Sequence, residues 1–100
     1  MLLCNAPPER APEIARTVVD EGLAACVNLL AAQSVYRWQG SVVEEAETTL
    51  VLKVPADGVA RLRARLLELH PYEVPEIVTL AVDVEQSHAP YVEWVRRGGG

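Results

Sequence analysis

The stretch His70-Pro71-Tyr72-Glu73-Val74-Pro75-Glu76-Ile77 gathers an imidazole, a phenol and two carboxylates between two prolines. Pro71 pushes His70 out of the α region and Pro75 does the same to Val74, so the residues between them are extended or turned. The aim of His70, Tyr72 and Glu73 is thereby set. A rigid bend of this kind serves as a binding site, and it serves equally as a plain connector from a helix to a strand.

Other residues with chemical potential have bland readings beside them. Cys26 alternates with Ala24 and Asn28 on a predicted core strand, where burial raises a thiol pKa and leaves the sulfur inert. Ser87 and His88 are adjacent and so poorly placed for proton transfer; Ser87 is expected to cap the last helix. Glu44, Glu45 and Glu47 put two carboxylates on one strand face, fit for a hard cation or acid–base work, yet a solvated strand edge uses the same pattern. No CxxC, HExxH, EF-hand or phosphate-binding glycine loop is present, so zinc, calcium and nucleotide sites have no motif behind them.

These residues must be positioned by a short list of elements. Residues 1–5 read as an apolar strand. A helix opens at Pro7-Pro8-Glu9, with Ala11, Ile14, Ala15, Val18 and Val19 on its buried face, Pro12 in the first turn and Gly22 as the stop. From Leu23 a strand places Ala24, Cys26, Asn28 and Leu30 on one face and Leu23, Ala25, Val27 and Leu29 on the other. It softens at residues 31–34 and continues to Trp38. Gln39-Gly40 is a hairpin turn, and a return strand runs from Ser41 to Val54. Asp57 caps a second helix that buries Val59, Leu62, Leu66 and Leu69 and turns Arg61, Arg63 and Arg65 to water. His70-Pro71 ends it. A fourth strand is predicted over 76–84, and a last helix over 90–97 that turns Tyr91, Trp94 and Val95 inward, before a loose Gly98-Gly99-Gly100 tail.

The order βαββαβ plus a terminal helix is an α+β, ferredoxin-like plan, one domain over residues 1–100. Right-handed crossovers put both long helices on one face of the sheet and the first strand between the third and fourth. The other face then has no cover, and one alternating set of the second strand faces water. The hairpin is also too long for its domain. Residues 24–38 would extend roughly 50 Å at ~3.3 Å each, against a radius of gyration near 13 Å. An overhanging arm with Tyr36 and Trp38 near its end points to a contact with another subunit, although Trp38 folded back on its own sheet would satisfy the same pattern.

Composition narrows the partners. The net charge is −5, and eight arginines and one lysine form no run beyond Arg96-Arg97, so nucleic acid and anionic membrane are not expected partners. The opening residues are too short for a signal peptide and no apolar run approaches the roughly 20 residues a membrane span needs, so the expected location is the cytoplasm. Cys4 and Cys26 are expected as free thiols there.

Five strings, taken together, resemble one family: Leu23-Ala24-Ala25-Cys26-Val27-Asn28; Ser34-Val35-Tyr36-Arg37-Trp38-Gln39-Gly40; Leu52-Lys53; the bend from His70 to Ile77; and Tyr91-Val92-Glu93-Trp94. Their order and spacing are similar to those of the CutA divalent-cation tolerance proteins. The resemblance implies a homotrimer of ferredoxin-like subunits, related in architecture to PII signalling proteins, with the long hairpins helping to hold the subunits together. It implies copper or a related divalent ion as ligand and no enzymatic activity. It also implies a metal pair of Cys4, at the end of the first strand, and His70, before the Pro-Tyr bend. Leu69 stands where some relatives carry a second histidine. Two rivals remain beside this reading. One is a PII-like scaffold whose trimer clefts bind a small metabolite or a protein. The other is an acylphosphatase-like hydrolase, which would need an arginine-bearing anion loop where only Arg10 is near.

Overall fold

A computed structural model describes residues 1–100. Its strands are β1 (Leu2–Ala6), β2 (Cys26–Trp38), β3 (Ser41–Lys53) and β4 (Ile77–Thr79), and its helices α1 (Ala11–Asp20), α2 (Val59–Leu69) and α3 (Ala89–Arg96). The sheet order is β2-β3-β1-β4, with every pairing antiparallel. This is the α+β, ferredoxin-like arrangement expected, with β1 between β3 and β4.

Strand alternation decides the core. Leu2, Cys4 and Ala6 point to the same face as Leu50 and Leu52, their cross-strand neighbours in β3. Ile14 and Val18 of α1 and Leu62 and Leu66 of α2 meet them there, all but fully removed from water. The periodicity of both helices is therefore the periodicity of their contact with one sheet face. α1 stops where Gly22 takes a φ of +73° and the amides of Gly22 and Leu23 donate back to the carbonyls of Val19 and Val18, a Schellman closure that favours glycine. Val19, at the margin of the stripe, stays 42% exposed.

The hairpin is regular throughout. Its register runs unbroken from Cys26 opposite Lys53 to Trp38 opposite Ser41, without the softening expected at residues 31–34. Gln39 and Gly40 both adopt positive φ (49° and 83°), the pair of left-handed residues a tight hairpin turn requires. β1 reaches only as far as Thr48 along β3. Residues 41–47 and 32–38 therefore pair with each other alone and project as an arm, roughly 23 Å at ~3.3 Å per residue, giving the chain extents of 45 × 28 × 22 Å.

Asp57 does not cap α2: it lies in a 3-10 turn over Ala56–Gly58, and Gly58 precedes the helix with no side-chain cap. Arg65 is not simply solvated, because its guanidinium makes a two-pronged contact with Glu21 at 2.8 Å. β4 ends at Thr79; the Leu80 amide still bonds to the Met1 carbonyl, and no strand lies beside the residues that follow. Ser87 bonds to the Asp83 carbonyl instead of capping α3, which begins after His88. α3 buries no residue completely and Tyr91 is 44% exposed, because this helix sits off the core, Tyr91 beside Cys26. The terminal glycines are tied back, Gly98 to Val95 and Gly99 to Trp94.

Candidate functional site

The bend hangs from His70. Pro71 forces His70 to extended angles (φ −80°, ψ 133°) at the end of α2. Its Nε2 lies 2.6 Å from the Asn5 carbonyl oxygen. A carbonyl only accepts, so Nε2 carries the proton, and Nδ1 accepts from the Tyr72 amide at 3.2 Å. The ring is buried, and it packs against Tyr72 with centroids 4.8 Å apart.

Tyr72 in turn donates its phenol proton to Glu47 Oε2 at 3.0 Å. Asn5 completes the frame, donating to Glu76 Oε1 at 3.2 Å and accepting from the Thr49 hydroxyl at 2.7 Å. The bend is thus clamped to β1 and β3 by a chain of side chains that adjacent positions in sequence could not supply. Glu47, expected on a solvated strand edge, is instead only 7% exposed, because Tyr72 lies against it.

Between this bend and the arm lies a cleft of about 650 Å³. Ser34, Tyr36 and Trp38 of β2 form one wall, Tyr72, Glu73 and Val74 of the bend the other, and Glu47, Asn5 and Glu76 also line it. Tyr36 donates to Glu45 at 2.5 Å. That hydrogen bond, followed by desolvation and the nearby carboxylate charges, pushes the Tyr36 phenol up to about 12. Burial and then the bond to Glu47 carry Tyr72 above the ordinary tyrosine range. Both phenols hold their protons at neutral pH and act as donors.

Cys4 points from β1 into the core, and both its Sγ, at 4.0 Å, and His70 Nε2 reach the Asn5 carbonyl oxygen. Burial, with the charges of Glu76 and Glu47 added, pushes the Cys4 thiol up to about 12, so it is protonated where a metal would need thiolate. Both His70 nitrogens are engaged. No group of three or more His, Cys, Asp or Glu side chains is arranged to hold a metal ion. As folded, the pair is not a preformed metal site.

Tyr36 and Trp38 lie on the sheet face away from the helices, 38% and 42% exposed, and both line the cleft. Cys26 lies on that open face too, half-buried with Lys53 Nζ 3.8 Å from its sulfur, and not in the core. Cys4 and Cys26 are both free thiols. Arg10, the one cation near the exit of β1, donates to the Leu69 carbonyl at 3.4 Å and closes the end of α2. Of the clamp residues, only Glu47 was marked by sequence, as one of two carboxylates on a strand face; Asn5 and Thr49 carried no motif, and the polar Asn5 near the end of an apolar strand was their one visible sign.

Residues 1–98 match the sequence profile of the CutA1 divalent ion tolerance protein family. The chain belongs to that family. It is 41% identical to the divalent-cation tolerance protein CutA of Thermus thermophilus over 102 aligned positions, covering 100% of this chain and 97% of that protein. It is 43% identical to human Protein CutA over 95 positions, covering 93% of this chain but 52% of the human protein, so it spans about half the length of that relative. Among solved structures, the PII-like protein CutA from Nostoc sp. PCC 7120 in apo form superposes with a TM-score of 0.95 at 45% identity, covering 99% of this chain and 95% of the other. The CutA fold, PII-like and built on a four-stranded antiparallel sheet, is therefore the fold of this chain. No helix in it is long and apolar enough to cross a membrane.

Proposed function

We propose that the protein, one domain over residues 1–100, serves divalent-cation tolerance in the cytoplasm as a homotrimer. The observation that carries the assembly is the open sheet face with its projecting arm. Leu30, Tyr36, Trp38 and Val78 stand substantially exposed on that face, an apolar surface that association with other copies would cover. Membership of the CutA1 family supports the tolerance role.

Copper is the metal this reading names, with Cys4 and His70 as its ligands. Their convergence on the Asn5 carbonyl supports it; the protonated thiol and the committed imidazole oppose a preformed site. Light scattering at low micromolar concentration tests the trimer, and a folded monomer would end that part of the reading. Titration of the reduced protein with Cu(I), Cu(II) and Zn(II) against competing chelators tests the metal. Unchanged Cu(I) affinity in both Cys4→Ser and His70→Ala would remove these ligands from it.

The cleft favours a second reading, a PII-like scaffold that binds a small molecule, with metal incidental. A volume of about 650 Å³ lies within the usual range of small-ligand sites. Thermal stabilisation by a metabolite with chelator present would support it. Neither reading includes a catalytic step.

A further inference from the structure

Glu47 is a carboxylate nine-tenths buried with no positive partner among the chain's own side chains. Only the neutral Tyr72 phenol donates to it, through Oε2, and it enters none of the four ion pairs of the fold. A buried charge in this state is expensive unless a counter-charge reaches it. Glu47 faces the cleft, whose lining includes Glu73 and Glu76 and no lysine, arginine or histidine.

The chemistry of the remaining lining narrows the ligand. Tyr36, Trp38 and Tyr72 bring aromatic rings, whose faces attract cations. Val35 and Val74 bring short apolar surface. The acidic groups do not converge on one point that would hold a metal ion, and the volume is far larger than a single ion fills. Separated carboxylates with apolar and aromatic surface between them match a chain of methylenes carrying an ammonium group at more than one position.

We propose that the cleft binds a small aliphatic polyamine, one ammonium group seated on Glu47 and another on the exposed Glu73 or Glu76, with the methylenes along Tyr72 and Val74, on the side of the cleft away from the Trp38 contact proposed for a second copy. This deepens the small-ligand reading of the same cleft by naming the class of ligand. Putrescine or spermidine supplies the positive charge that Glu47 lacks, and a neutral molecule of the same length does not.

Isothermal titration calorimetry of the intact protein, with chelator present, compares putrescine, spermidine, 1,4-butanediol and a nucleoside triphosphate. Saturable binding of the amines and none of the diol is expected. Glu47→Gln keeps an acceptor for Tyr72 but loses the charge, and should weaken amine binding about tenfold or more, the difference between a charged and a neutral acceptor. Glu85→Gln removes one charge from an exposed turn and should leave it unchanged. Equal weakening in both variants would reduce the effect to diffuse attraction by an acidic protein and overturn the proposal. Binding of the nucleotide in place of the amines would overturn the ligand class while the small-ligand reading survived; binding of neither would overturn the proposal and leave the small-ligand reading to the metabolite screen. If instead a lysine or arginine of a second copy occupies the cleft, the amines will not bind and Glu47→Gln will weaken the oligomer, which also overturns the proposal.

Discussion

The root and the tip of the β2–β3 hairpin share one ladder and have opposite surroundings. At the root, Leu50 and Leu52 are fully buried beneath both long helices. At the tip, Val35 and Val42 are 61% and 63% exposed, on strands of the same geometry. Backbone pairing alone therefore does not explain why the tip stays apolar. The root is held by its own chain, whereas the tip keeps aromatic and aliphatic side chains that find full cover only against something else.

The largest effect expected from this contrast is at the root. Leu50→Ala should cost about 2–5 kcal/mol of stability, since the helices cannot collapse onto the space it leaves, and Val42→Ala should cost little in the same denaturant titration. A comparable loss at both positions would show that the tip is buried as deeply as the root. Trp38→Ala should leave folding of the single chain intact and weaken the proposed trimer by about 2 kcal/mol or more, read by sedimentation across a dilution series, with Glu44→Ala, an exposed carboxylate on the opposite strand face, changing little. Unfolding without dissociation would assign Trp38 to its own subunit.

The cleft sits between these regions and sharpens the comparison further. Tyr72→Phe removes the one donor to a buried carboxylate, so about 1–3 kcal/mol should be lost in thermal or denaturant melts, more than a surface tyrosine on the arm would cost. A null result would mean that water replaces the phenol. The effect that is absent at neutral pH is a slope in alkali. Cys4 has its pKa raised from 9.0 to about 12 on folding, so between those values the unfolded chain binds fewer protons than the native one. Its contribution is intact below pH 9 and is lost as pH rises, by about 1.4 kcal/mol per unit. Cys4→Ala should flatten the stability curve between pH 9 and 11 by that amount. An unchanged slope would mean that the thiol is not held in the core.

Much of the fold was legible because its signals are local. Two-residue alternation in residues 26–53, the helical stripes, Gly22 and Gln39-Gly40 each act through neighbours a few positions away, whereas the alternation expected from Leu23 fails where Ala24 and Ala25 are both buried. The misses were places where local signals were ambiguous. Asp57 had the right type for a cap, but Pro55 started a 3-10 turn first. Ser87 had the right type too, one position early.

The site divides in the same way. The two prolines by themselves determined that the chain bends rigidly after α2, because their rings restrict the residues before them whatever the surroundings. They said nothing of what the bend leans on. That His70 turns its proton to Asn5, that Tyr72 shields Glu47 from water and that Cys4 faces the core were decided by tertiary structure, through register and by contacts across 65 and 25 positions of chain for the first two. A carboxylate in a run of glutamates looks solvated until a distant phenol is laid over it, and burial of that kind is set by the packing of elements and not by any residue's own neighbours.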